Sequence, residues 1–247
     1  MSSAIRATDR IVAWRTATIR EVVRETPSAT TLVLDVDGWP GHRAGQHVDL
    51  RLTAEDGYQT TRSYSISSAP EDDAVAVTVE RLDDGEVSPY LVDEAQPRDE
   101  LELRGPVGGW FVWTADQGGP LFLVAGGSGL APLMSMLRHR ARTGSDAEAL
   151  LLLSARREQD VLFAGELPAL GAAVTITYTR EAPAGWAGYA RRVDRDMLAE
   201  AGFERERRPR IFVCGPTGFV EGVARELVAL GHDASRIRTE RFGATGG

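Results

Sequence analysis

Three short segments carry side chains whose types and spacing suit them to chemistry. Arg62-Ser63-Tyr64-Ser65, continuing through Ile66, Ser67 and Ser68 to Pro70, gathers a guanidinium, a phenol and several hydroxyls within a few residues. Alternation along an extended strand sends Arg62, Tyr64 and Ile66 to one face and Ser63, Ser65 and Ser67 to the other. A planar ligand could stack on Tyr64 while Ser65 bonds to its edge and Arg62 meets a phosphate; an exposed edge strand is the plain alternative. Gly126-Gly127-Ser128-Gly129, with Pro132 close behind, follows an apolar run and opens a helical one. Backbone without side chains approaches a ligand closely, and the free N–H groups of a helix start hold phosphate. The spacing is not GxGxxG, and a bare strand-to-helix turn is the other reading. Cys214-Gly215-Pro216 repeats the pattern of apolar run, glycine and helix start. Taken alone, Cys214 reads equally well as a small buried hydrophobe.

The elements that must position these segments change character near residue 115. Before it, TATIREVVRET from Thr16, ATTLVLDV from Ala29, HVDLRL from His47, AVAVTVERL from Ala74 and ELELRG from Glu100 read as strands, separated by turn chemistry in DGWPG, EDG and DDGE. Many short strands and few helices predict a small antiparallel barrel or sandwich. One helix is expected inside it, with Ser88 as its cap, Pro89 at its first position and YLVDEA following. Thr114 to Gly119 reads as a linker, giving expected domains of 12–114 and 119–247.

After the linker, strand and helix alternate. PLFLVAGG, EALLLLSAR, AVTITYTR, RIFVCG and RIRTERF read as strands. LAPLMSMLRHRAR, a short LFAGELPAL, DRDMLAEAG and PTGFVEGVARELVALG read as helices. The pattern predicts an α/β open parallel sheet with both faces covered. Ligands bind at the carboxyl ends of such strands, which places Gly126, Thr179 and Cys214 around one crevice. The second strand ends in Ser154, Ala155, Arg156 and Arg157 and the third in Thr179 and Arg180, with no acid to grip a ribose hydroxyl; cations there favour a 2′-phosphate.

Composition excludes several classes. The chain has 247 residues, 43% hydrophobic and 26% charged, which is unlike a fibre, a coiled coil or a disordered chain. One cysteine, Cys214, excludes an internal disulfide and a cluster or zinc site needing four thiolates from this chain, and no metal site is expected. A formal charge of −8 makes nucleic acid a poor partner. The start, MSSAIRATDRIVAW, lacks the pattern of a secretion signal, and the apolar runs are strand-sized. A cytoplasmic protein without membrane insertion is the expectation. His42, His47, His139 and His232 are scattered and read as structural or surface residues.

Taken together, the motifs resemble the ferredoxin–NADP reductase superfamily of flavoproteins. Arg62-Ser63-Tyr64-Ser65 matches its RxYS flavin element, Gly85 and Ser88 its second flavin-phosphate element, and Gly105-Pro106-Val107-Gly108, before Gly109, Trp110 and Phe111, its GPxG element. Gly126 to Gly129 with Pro132 resembles its nicotinamide-nucleotide turn, Cys214-Gly215-Pro216 its CGP element, and Glu240-Arg241-Phe242 a tail near the flavin. The likeness runs in order from about residue 14 to residue 243. It implies an N-terminal flavin-binding antiparallel β barrel and a C-terminal nucleotide-binding α/β domain. It implies that Arg62 grips the flavin pyrophosphate, Tyr64 packs on the ring, Ser65 bonds near N5, and Ile66, Ser67, Gly85, Val87 and Ser88 complete the flavin site. Gly127, Ser128, Gly129, Pro132, Arg156, Thr179, Arg180, Gly215, Pro216 and Phe242 are implied in cofactor binding, and Tyr64, Ser65, Cys214 and Glu240 at the reacting centre. The implied activity is hydride transfer from NADPH, or NADH, to FAD, then single electrons to a separate acceptor. With one cysteine present, that acceptor is expected to be a small iron–sulfur protein. A flavin-bearing subunit of a larger redox complex and a non-redox nucleotide-binding module are the alternatives.

Overall fold

The computed structural model describes residues 13–53, 57–82 and 84–242. The expected outer domain limits, 12 and 247, lie outside the described residues. The first half forms β1 (Trp14–Thr26), β2 (Ala29–Val36), β3 (His47–Thr53), β4 (Gln59–Ser65), β5 (Val75–Glu80), helix α1 (Ser88–Asp93) and β6 (Glu100–Val107). The strands form one sheet in the order β4-β3-β6-β1-β2-β5 with antiparallel pairing throughout. The two edges then meet. Just past β4, Ile66 bridges Val77 of β5, and Ser67 N–H donates to Ala76 O at 2.8 Å. The sheet therefore closes into a barrel, which removes its open edges. Its interior holds Ile19, Leu32, Leu34, Leu50, Ile66 and Leu103, all at most 1% exposed.

The second half forms β7 (Leu121–Gly126), α2 (Leu130–Arg142), β8 (Ala149–Ala155), β9 (Ala173–Tyr178), α3 (Arg195–Ala201), β10 (Arg210–Pro216), α4 (Thr217–Ala229) and β11 (Ile237–Phe242). Its sheet is parallel in the order β11-β10-β7-β8-β9. The run LFLVA is apolar at every position because both faces of β7 are covered. Leu121, Leu123 and Ala125 pack with α2, whereas Phe122 and Val124 pack with Met197 and Leu198 of α3 and Val220 of α4.

Two local expectations are corrected. Ser88 does not cap α1: the N-cap is Val87, and Ser88 and Pro89 are the first two helical residues. The Ser88 hydroxyl instead accepts from Leu82 N–H at 3.0 Å, a local bond available only because the chain doubles back at Gly85. LFAGELPAL does not form an α-helix; only a 3₁₀ turn, Leu167–Leu170, is present. Phe163 adopts a left-handed φ of 55°, which interrupts any helix before it can propagate.

The halves are joined through α2. Ser135 Oγ donates to Ser68 O at 2.6 Å and Arg138 to Ser67 O at 2.7 Å. His139 Nε2 accepts from Ala115 N–H at 3.2 Å, so Nδ1 carries the proton donated to Glu71 at 2.7 Å. Gly45 lies at the same junction with φ +97°, and a Cβ there would stand 2.0 Å from Phe111 O and 2.7 Å from Met136 Cε. Gly45→Ala is expected to destabilise the protein by about 3 kcal/mol or more, because strain and a backbone clash act together. Urea or thermal unfolding checks this, and an unchanged midpoint would contradict the junction geometry.

Candidate functional site

Antiparallel pairing of β3 with β4 sets Leu50 opposite Arg62, Val48 opposite Tyr64 and His47 opposite Ser65. Tyr64 is half-buried against the barrel core. Burial pushes its phenol up to about 12 against the pull of the Arg62 charge. Arg62 donates to Thr61 O at 2.9 Å and Thr60 Oγ1 at 3.2 Å. Ser63 points the other way and donates to Asp49 at 2.6 Å. Ile66 and Ser67 are fully buried, and the Ser67 hydroxyl is engaged with Ala76 O and Thr78. The Ile66 side chain thus belongs to the barrel interior, whereas that of Ser67 is buried on the opposite face, against Thr78.

The segment before α1 lies across from β4. Gly85 N–H donates to Leu82 O at 3.0 Å. A Cβ at Gly85 would stand 2.8 Å from Ser88 Oγ, so only glycine fits without a shift. Val87 is buried, and Glu86 points outward to Thr60 and Arg62.

On the other side, β7 ends at Gly126 and a 3₁₀ turn, Gly127–Gly129, leads into α2. A Cβ at Gly129 would meet Cys214 O at 2.2 Å, and one at Gly215 would lie 3.2 Å from Gly126 Cα. The two glycine turns therefore touch, as adjacent β7 and β10 require. Pro132 is buried in the first turn of α2. Arg156 and Arg180 are exposed at the neighbouring ends of β8 and β9, with Arg180 N–H donating to Arg156 O at 3.0 Å. Thr179 Oγ1 donates to Ala155 O at 3.2 Å. Beyond them, residues 181–192 fold back on β9: Tyr189 bridges Thr177, and Trp186 stands edge-on to Tyr178 at 5.0 Å.

The halves converge at Glu240. Parallel pairing sets it beside Cys214, and Phe242 beside Pro216. Glu240 Oε1 lies 3.8 Å from Nδ1 of His47, the residue opposite Ser65. Glu240 Oε2 is buried without a hydrogen-bond partner. Burial raises this carboxyl to about 7. Burial also lowers His47, with the Asp49 charge opposing. Burial shifts both groups towards their neutral forms, and 3.8 Å exceeds hydrogen-bond reach. Cys214 is 1% exposed; burial and the Glu240 charge push its thiol well up, which keeps it from acting as a thiolate. Ser65, Cys214 and Glu240, far apart in sequence, are thus gathered in one place, whereas Arg156, Thr179 and Arg180 stand at the far side of the parallel sheet. In sequence His47 reads only as a structural or surface residue. Only the β3–β4 register reveals its position.

Residues 18–112 match the oxidoreductase FAD-binding domain family and residues 123–225 the oxidoreductase NAD-binding domain family. The NADH oxidoreductase HCR of Escherichia coli K12 is 32% identical over 234 residues, covering 93% of this chain and 68% of that protein. The chain belongs to the ferredoxin–NADP reductase superfamily. It contains oxidoreductase FAD-binding and NAD-binding domains. The glycine betaine monooxygenase reductase subunit of Chromohalobacter salexigens is 35% identical over 82% of this chain and 56% of its own length. The ferredoxin reductase component of Mycobacterium tuberculosis 3-ketosteroid-9-alpha-monooxygenase is 33% identical over 91% of this chain and 64% of its own length. The chain thus spans little more than half the length of the glycine betaine monooxygenase reductase subunit. Among solved structures, the FAD/NAD-binding domain of Vibrio cholerae nitric oxide dioxygenase superposes with a TM-score of 0.82 at 27% identity, covering 93% of this chain and 99% of that one. A Neisseria gonorrhoeae ferredoxin NADP+ reductase with bound FAD and NADP shares the fold, with a TM-score of 0.78 at 21% identity over 92% and 98% of the two chains. Among the described residues no helix is long and apolar enough to cross a membrane.

The residues present suit both cofactors of this superfamily. The strand-to-helix turn Gly127–Gly129 suits a phosphate at the start of α2, and the orphaned Glu240 oxygen offers an acceptor at the junction. The raised Glu240 carboxyl has a thermodynamic consequence. Its pKa is higher folded than unfolded, so its contribution to stability is complete below about 4.5 and is lost as pH rises through about 7. Glu240→Gln should therefore gain stability relative to the unsubstituted protein between pH 5 and pH 8, by roughly 2 kcal/mol. Denaturant unfolding at the two pH values measures this; a pH-independent difference would contradict a buried, raised carboxyl.

Proposed function

We propose that this chain takes hydride from NADPH, less readily from NADH, onto FAD and releases single electrons to a separate small iron–sulfur protein, as the reductase module of an oxygenase-type system. The observation that carries this reading is the convergence of Ser65, at the end of the barrel strand β4, with Cys214 and Glu240, at the ends of the parallel strands β10 and β11. A two-cofactor reaction needs its two binding halves to meet at one point, and the polar groups gather there.

Arg62 pairs with the flavin phosphates, assisted by the backbone of Gly85, Val87 and Ser88. Tyr64 packs against the ring and Ser65 presents its hydroxyl near N5. Ile66 and Ser67, their side chains both buried but turned to opposite faces, contribute backbone only. The turn Gly127-Ser128-Gly129, ahead of Pro132, holds the nicotinamide nucleotide's pyrophosphate at the start of α2. Gly215 and Pro216 shape the approach to Cys214, whose neutral thiol fills space beside the nicotinamide. Glu240, half-protonated near neutrality, holds or gives up a proton at its Oε atoms, and Phe242 covers the ring from the end of β11. Bound flavin supplies what nicotinamide lacks, the ability to take two electrons together and release them singly. The exposed cations Arg156 and Arg180, with Thr179, support a 2′-phosphate and hence NADPH. Domains of 12–114 and 119–247 fit this division of labour, and a cytoplasmic site fits the free thiol of Cys214.

Anaerobic titration of the flavin-loaded protein with NADPH should bleach the visible flavin band. Ser65→Ala should slow that bleaching by about tenfold or more while leaving flavin content unchanged. A protein that holds neither FAD nor FMN, or stays yellow with both nicotinamide nucleotides, would overturn the function. Replacing Arg156 and Arg180 together with Ala should raise the KM for NADPH by about tenfold or more and leave that for NADH nearly unchanged. Equal effects on both coenzymes would remove the basis for NADPH preference.

A further inference from the structure

The Glu86 carboxylate is an unexpected neighbour for a phosphate-binding arginine. Its Oε2 lies 3.6 Å from Arg62 Nη2, accepts from Thr60 Oγ1 at 3.2 Å, and accepts from Tyr58 OH at 3.4 Å. Thr60 Oγ1 in turn accepts from Arg62 Nη1 at 3.2 Å, so Arg62, Thr60 and Glu86 form a closed triangle. Among the described residues, Glu86 is the acid paired with Arg62. Its backbone is fixed on both sides, by the Gly85 N–H bond to Leu82 O at 3.0 Å and by Val87, 1% exposed in the barrel core. The carboxylate therefore cannot drift far from the guanidinium. Both side chains are about half exposed, at 52% and 54%, so the pair itself stabilises little and is cheap to break.

We propose that Glu86 competes with the flavin phosphate for Arg62 and thereby sets how tightly the chain retains its flavin. The inference rests on the flavin reading above. A phosphate reaching Arg62 must displace Glu86 from the guanidinium, and the displaced carboxylate stays close as a like charge. Affinity is held below what Arg62 and the Gly85 turn would otherwise give. The competing view makes Glu86 a brace, tying the segment before α1 to β4 through Thr60 and Tyr58. Glu86→Gln separates the two, because the amide oxygen still accepts those hydrogen bonds while the charge is gone.

The test follows flavin release from the purified, flavin-loaded full chain as the fluorescence rise on dilution. Glu86→Gln should slow release of FAD and of FMN by about three- to tenfold at low salt. The gain should shrink towards unity at about 1 M salt, where screening acts within about 3 Å. Glu86→Asp keeps the charge and should stay within about twofold of the unsubstituted protein. The affinity for riboflavin, which has no phosphate, should be the same in Glu86→Gln and the unsubstituted protein. Faster or unchanged release of FAD from Glu86→Gln would overturn the proposal, as would a gain that persists in high salt or extends to riboflavin. Those results leave the flavin function standing. Failure of the unsubstituted protein to bind flavin at all would remove the function itself.

Discussion

The docking of α2 against the segment between β4 and β5 is the contact on which the site depends. The flavin-side residues lie at the end of a barrel strand, and the nucleotide-side residues lie at the ends of parallel strands. Nothing within either sheet fixes the distance between them. Ser135, Arg138 and His139, on one face of α2, bond to Ser68 O, Ser67 O and Glu71. Ser67 and Ser68 directly follow the strand that carries Arg62, Tyr64 and Ser65. The same helix starts from the glycine turn that meets Cys214. One rigid element thus spans both halves of the centre, and buried hydrogen bonds hold it with little freedom to slide.

The chemistry at the junction rests on desolvation rather than on charge pairing. Glu240 is the one group there whose carboxyl burial carries to about 7, and its neighbour His47 is also driven towards neutrality. Raising an acid this far needs an environment without a cation at hydrogen-bond distance, and His47 stands off at 3.8 Å. Cys214 follows the same logic, since its thiol is too buried to ionise. The chain invests its arginines elsewhere, at Arg62 beside the predicted phosphate site and at Arg156 and Arg180 beyond the parallel sheet. A net charge of −8 is therefore compatible with a protein that handles anionic cofactors, because the cations are placed locally.

Much of this molecule is written in its sequence. The strands of the barrel, the alternation of the second half and the helix Leu130–Arg142 follow from hydrophobic period, since each element buries one face or both against a neighbour. Gly129 and Gly215 are also legible, because strand-to-helix turns need backbone that packs on backbone. Local bonding was harder to read. Ser88 looked like a cap but reaches back to Leu82, and LFAGELPAL looked helical but is broken at Phe163. Both outcomes turn on a few degrees of backbone direction that neighbouring elements impose, and residue type says little about them.

What the sequence determined by itself was the set of elements and the chemical groups available, because periodicity and residue type are local properties. What only the tertiary structure decided was proximity. His47 stands by Glu240 because one register of β3 against β4 and one docking of α2 bring positions nearly two hundred residues apart within 3.8 Å. Glu86 faces Arg62 because the barrel places the segment before α1 across from β4. A shift of one residue in either strand would turn these side chains to the opposite face. Contacts of this kind depend on how the sheets close and pack, which no stretch of sequence encodes alone.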